Sequence, residues 1–223
     1  MKLAYLTASF PYGDGESFVS TEVEFHLNEG EEFVLFPLWA RGILKNTPIF
    51  KNSNLIVLES RILTFKMFLN FILFMIFKPR FLFSSLNIIF KSKFSHFLKN
   101  LAVLPKAVYI SNKIQEHKIT HLHVHWGATT ATAGMIAAKI SNIEWSFTCH
   151  RWDIYENNLL KLKSESADFV RFISDRGKTD AINLGVSATK ATTIHMGVQI
   201  PQNIKIEKYN LVGDVFNIIC PAN

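Results

Sequence analysis

The chain has 223 residues, 48% of them hydrophobic, with 24 Lys+Arg against 18 Asp+Glu and a formal charge of +6. That length and apolar fraction support a packed core and exclude intrinsic disorder, while 10 Gly and 7 Pro exclude a collagen-like or low-complexity chain. Two cysteines, Cys149 and Cys220, cannot build a disulfide framework or a thiolate zinc site, so a reducing cytoplasm is expected.

Residues 2–8 are a short apolar run, too short for a signal-peptide core, and read as a buried first strand. A loop over 9–17 carries Gly13 and Gly15, and a helix follows over 18–28. Strands are expected over 32–38 and 54–58. Beyond the basic segment described next, a helix is expected over 106–116, a strand over 120–126 and a small-residue helix over 128–140. Further strands are expected over 145–149, 168–173 and 192–195, with helices over 158–165 and 174–184, the last stopped by Gly185. Such alternation of strands and helices predicts βαβ units and an α/β, doubly wound parallel sheet of Rossmann-like type. Residues 216–220 read as one more buried strand, which either closes the sheet or opens a second domain.

The charge is unevenly placed. Eight of the 24 basic residues lie in 61–106, and no Asp or Glu occurs between Glu59 and Glu116, so the remaining chain has 16 basic against 18 acidic residues. The same insert holds ten of the 20 Phe, among them Phe65, Phe68, Phe71, Phe74 and Phe77 at every third position, a helical pattern cut at Pro79. Its longest uncharged run is residues 67–77, short of the roughly 20 needed to span a bilayer. Two readings stay open: a helical hairpin packed on the core, or an interfacial contact with an anionic membrane through Lys66, Phe68, Phe74, Lys78, Arg80, Lys91 and Lys93. Nucleic acid is not expected, because no recognition motif accompanies the charge.

Three groups could carry chemistry. Gly13, Gly15, Glu16 and Ser17 lie where the first strand meets the first helix, the place where Rossmann sheets receive phosphates, although Phe18 stands where a dinucleotide fingerprint needs its third glycine. His121, His123 and His125 share one strand face; adjacent same-face positions lie about 7 Å apart, too far for the outer pair to share one ion, so no metal is expected and His125 alone is placed at the crevice. Thr148, Cys149, His150 and Asp153 follow the next strand, with His150 the candidate catalytic or ligand-orienting group.

Together these motifs resemble the amino-terminal domain of family-4 type glycosyltransferases with the two-domain GT-B architecture, especially those of bacterial exopolysaccharide (colanic-acid type) assembly. Phe10-Pro11 with Glu16-Ser17-Phe18-Val19 and Glu22 resembles the family's FP…ETFI..E opening, and His121-Leu-His123-Val-His125-Trp126 its HIHAHF strand. Residues 146–155, SFTCHRWDIY, are similar to its SFTaHa.DIf segment; Ala167-Asp168-Phe169-Val170 to Ser174 and His195-Met196-Gly197-Val198 resemble two further stretches. Cys149 replaces a small residue and Gln199 an Asp. The resemblance implies retaining transfer of a sugar from a nucleotide-sugar donor, without metal or other cofactor, to a saccharide or polyprenyl-linked acceptor. His150 and Asp153 would be catalytic, and Gly13, Gly15, Glu16, Ser17, His125 and Thr148 would bind substrate. It also implies an acceptor-side domain over 1–212, the start of a donor-binding domain at 213–223 whose remainder would come from elsewhere, and a cytoplasmic protein peripheral to the inner membrane face. A non-catalytic membrane-associated binding module on the same core is the alternative.

Overall fold

In the computed structural model, which describes residues 2–44, 47–58 and 64–197, seven short strands pair in parallel into one sheet. They are β1 (Leu3–Thr7), β2 (Phe33–Pro37), β3 (Leu55–Val57), β4 (His121–His125), β5 (Glu144–Cys149), β6 (Val170–Phe172) and β7 (Ala191–Thr193). The order β3-β2-β1-β4-β5-β6-β7 steps outward from β1 in one direction and from β4 in the other. The two sets of crossovers therefore diverge between β1 and β4, and a crevice opens at the carboxyl ends of these strands. The expected doubly wound sheet is present, with each strand expected from the described residues in place. The strand expected over 216–220 and the boundary at 213 lie outside the described residues.

Side-chain alternation sorts the sheet into two unlike faces. On one face Ala4, Leu6, Val34, Phe36, Leu122, Val124 and Phe147 are buried beneath α5 (Leu104–Glu116) and α6 (Thr129–Ser141). Gly134 lets α6 approach closely: a Cβ there would lie 2.4 Å from Val124 Cγ2. On the other face α1 (Val19–Asn28) covers Tyr5, Phe33 and Leu35 with Val19, Val23 and Leu27. Farther along that face the strands present His121, His123, His125, Ser146, Thr148 and Arg171, all buried yet polar.

The segment between β3 and β4 forms α2 (Phe65–Phe77), α3 (Pro79–Phe90) and α4 (Phe94–Ala102) before α5. Proline starts α3 because the first turn of a helix needs no amide donor there. No single helix is long and apolar enough to cross a membrane; α2 and α3 together have the length and composition but are bent by 106° at their break. One stripe packs inward through Met67, Phe74, Ile88 and Ile89. The opposite stripe leaves Phe68, Phe77, Phe83, Phe90 and Phe94 exposed beside Lys78, Arg80, Lys91 and Lys93. Phe74, expected at a membrane surface, is instead core. Lys66 lies on α2, and its side chain is outside the described part. Lys106, counted with the insert's surface charge, is fully buried: its ammonium donates to the Leu38 carbonyl and sits 4.4 Å over the Trp39 ring.

Candidate functional site

Four loops converge at the carboxyl end of the sheet. After β1, the loop holding Gly13 is braced by Glu16, whose carboxylate accepts from the Ala8, Ser9 and Phe10 amides and from Trp126 Nε1. Glu16 is 3% exposed. The carboxylate expected to bind substrate is thus consumed in shaping the loop. Gly13 adopts φ +66°, and a Cβ on it would lie 3.3 Å from the Arg41 carbonyl, so the loop rests directly on backbone that follows β2. Its N–H donates to the Ile43 carbonyl at 3.1 Å and is not free for a phosphate. Gly15 and Ser17 remain exposed at the mouth.

After β5, His150 caps the six-residue helix α7 (Arg151–Glu156) in a reciprocal pair. The His150 ring accepts the Asp153 backbone N–H, and Asp153 Oδ2 accepts the His150 N–H at 2.9 Å. That pair explains a helix the sequence pattern did not suggest, since six residues are too few to show a period. Asp153 Oδ1 also accepts from Ala128 N at 3.1 Å, tying α7 to the turn after β4. Asp153 is 2% exposed, and burial pushes its carboxyl up to about 6 despite these bonds. It acts on His150 through the backbone rather than through the ring.

Trp126, at φ +81°, lays its indole on the His150 ring with centroids 4.4 Å apart and 27° between planes, and Phe18 approaches the ring from another side at 5.3 Å. Burial, with His125 and Arg171 nearby, lowers the His150 pKa to about 4, so the ring is neutral at pH 7. One ring nitrogen already accepts, so the proton of the neutral imidazole belongs on the other. That atom, Nε2, is buried and has no partner among the described residues. His150 is therefore a neutral hydrogen-bond donor held ready between two aromatic rings.

Beneath lies a second layer. His125, expected to reach the crevice, is fully buried, with Nε2 3.4 Å from Glu22 Oε2 and its ring against Tyr5 and Phe18. Thr148, also assigned to substrate, is fully buried and its hydroxyl is bonded to His123 Nε2 at 2.9 Å. Both assignments fail on access. Glu22 bonds Arg171, whose Nε donates to the Ile194 carbonyl at 3.1 Å and so ties α1 to the chain after β7. Burial alone would raise the Glu22 pKa, but His125 and Arg171 win and hold it near 2. Over this layer runs a groove of about 670 Å³ lined by Tyr5, Phe18, Glu22, Phe25, Phe169 and Arg171.

Lys163 is fully buried on α8 (Leu160–Ser166) and donates to the carbonyls of Gly127, Ala128 and Asn158 at 2.6–2.8 Å. Cys149 is fully buried, and burial pushes its thiol pKa well up, which disfavours the thiolate. Among the described residues the cluster able to hold a metal, His121, Glu144 and Asp168, lies at the other end of the sheet. Trp126, Phe18, Arg171 and Lys163 were not among the expected site residues. Trp126 was detectable as the residue just past a strand's carboxyl end; the other three carry no local signal.

No protein-family model matches the chain, and no curated protein resembles it significantly in sequence. Solved structures do. Anabaena HepE in complex with UDP and glucose superposes with a TM-score of 0.56 at 15% identity, covering 89% of this chain and 45% of HepE. The lipopolysaccharide outer core galactosyltransferase WaaB gives 0.56 at 13%, covering 92% and 48%. Acinetobacter baumannii MurG gives 0.50 at 11%, covering 91% and 47%. The fold is GT-B glycosyltransferase-like. The chain spans just under half the length of these GT-B structures.

Proposed function

We propose that the chain is the acceptor-side half of a glycosyltransferase that moves a sugar from a nucleotide-sugar donor to a saccharide or lipid-linked acceptor in bacterial surface polysaccharide synthesis. The observation that carries this reading is the unpartnered, buried Nε2 of neutral His150, set at the carboxyl end of β5 within a GT-B-like sheet. A neutral imidazole N–H can hold a sugar hydroxyl or diphosphate oxygen at fixed distance without bringing a charge of its own. Gly15 and Ser17, across the mouth, would approach the diphosphate through backbone amides. Asp153 is a positioning residue: it fixes the backbone that carries the ring. Retention of configuration, absence of a metal step and the need for a donor-binding half belong to this proposal.

The protein would work on the cytoplasmic face of the membrane. Exposed Phe68, Phe77, Phe83, Phe90 and Phe94 could enter the acyl boundary while Lys78, Arg80, Lys91 and Lys93 meet anionic headgroups, each worth on the order of 1 kcal/mol.

The deciding experiment joins this chain to the donor-binding half of a GT-B enzyme and measures transfer from a labelled nucleotide sugar to lipid-linked saccharide. His150→Ala should lower kcat by about 100-fold, in line with loss of one well-placed donor. Unchanged turnover would refute the assignment.

A further inference from the structure

At the amino ends of the strands, opposite the crevice, three side chains meet without touching. His121 opens β4 and Glu144 opens β5 directly across from it, while Asp168 precedes β6. His121 Nδ1 lies 4.0 Å from Glu144 Oε2 and 4.0 Å from Asp168 Oδ2. These gaps are too long for hydrogen bonds. Among the described residues that nitrogen has no hydrogen-bond partner, although the His121 side chain is only 10% exposed. All three ligand atoms lie within 4.8 Å of one another. Ligands around Zn²⁺ at 2.0–2.2 Å stand roughly 3.3 Å apart, so both carboxylates would have to close on the imidazole by somewhat under 1 Å to reach bonding distance.

The surroundings are those of a built site. Asp168 is locked in place: its Oδ2 accepts from Trp145 N at 3.0 Å, and its own N–H donates to the Trp145 carbonyl at 2.9 Å. The far nitrogen of His121, Nε2, is bonded to Ser146 Oγ at 2.8 Å; Ser146 Oγ is bonded to His123 Nδ1 at 2.8 Å, and His123 Nε2 to Thr148 Oγ1 at 2.9 Å. This line can be polarised from either end. In one, His121 Nδ1 carries a proton and faces carboxylates too distant to accept it. In the other, Nε2–H donates to Ser146, the donors run on toward Thr148, and Nδ1 presents a lone pair between two carboxylates. In the second, the Nδ1 lone pair is turned toward the two carboxylates, where a cation can meet it. An imidazole oriented by a hydrogen bond from its other nitrogen is the usual outer shell of a metal-bound histidine. Phe169 stacks over the ring at 6.2 Å and shields it.

We propose that His121 Nδ1, Glu144 and Asp168 bind one Zn²⁺, with water completing the shell. One imidazole with two carboxylates suits a borderline ion rather than Mg²⁺, which favours oxygen alone. The ion would tie the starts of β4 and β5 to the residue before β6 and is separate from the proposed sugar transfer.

The chain, stripped with chelator and dialysed, is titrated with Zn²⁺ by calorimetry and by NMR of the imidazole nitrogens. The expected result is one strong site, with the His121 signals reporting Nδ1 bound and Nε2 protonated, and a rise in Tm of about 5 °C at saturation. Glu144→Gln, at an exposed carboxylate, should keep the fold and weaken binding at least tenfold, on the order seen for weaker outer-shell changes. Ser146→Ala should also weaken it, and His117→Ala should not. Absence of a 1:1 complex at millimolar Zn²⁺, or binding that survives both Glu144→Gln and His121→Gln in folded protein, would overturn the site.

Discussion

Asp153 and His150 hold each other: the carboxylate of one accepts the amide of the other, and the ring returns the bond. Removing that carboxylate leaves the amides of His150 and Ala128 without their acceptor. Asp153→Ala should therefore cost about 2–4 kcal/mol in urea unfolding. Asp153→Asn, which keeps one acceptor oxygen, should cost less. In a two-domain transferase, Asp153→Asn should lower kcat more than it raises KM, because the ring it positions acts in the transition state.

Gly127 tests the packing under the same turn. A Cβ there would lie 2.6 Å from Cys149 Sγ and 3.2 Å from Asp153 Cβ. Gly127→Ala should destabilise by about 2 kcal/mol or more by overpacking. Adding Cys149→Ala removes the closer atom and should restore part of the loss, a coupling that a thermodynamic cycle can read.

Lys163 gives a signed pH dependence. Burial lowers its pKa from 10.5 to about 7, so the unfolded chain binds more protons than the folded one between those values. Stability should then rise as pH goes from 7 toward 10. Glu22 acts at the other end: with its pKa held near 2 by His125 and Arg171 against burial, its contribution is present above 4.5 and lost as pH falls toward 2. Urea midpoints across pH should show both slopes. Lys163→Met should lessen the alkaline one, which buried Lys106 shares, and Glu22→Gln should lessen the acid one.

Two phenylalanines three residues apart separate packing from membrane contact. Phe74 is buried, and Phe74→Ser should cost about 3 kcal/mol or more in stability. Phe77 is 75% exposed, and Phe77→Ser should leave stability within about 0.5 kcal/mol. Flotation with anionic vesicles should weaken for Phe77→Ser and more for Lys78→Glu with Arg80→Glu. Failure of the unaltered protein to float would remove the membrane contact from the proposal.

The sheet was legible because each strand is a short apolar run set off by loops, and a doubly wound order follows from the alternation with helices. The place of His150, just past a strand, was legible for the same reason. Glu16, His125 and Thr148 misled because sequence shows which end of a strand a residue occupies but not whether a neighbour has already claimed its polar atoms. Arg171 and Glu22 are 149 positions apart, and only the folded sheet brings them together. Phe74 and Phe77 share one apolar pattern; which of them faces inward depends on where α5 lies, information no local window contains.

The buried ammonium of Lys106 has a dynamic consequence. It fastens α5 to the Leu38 carbonyl and the Trp39 ring, while Gly42, a few residues on, lies against Gly13 with a 3.0 Å approach for any added Cβ. Helix α5, the residue after β2 and the glycine loop should therefore open as one cooperative unit. Their amides should exchange with solvent at a shared rate, slower than surface loops of similar exposure.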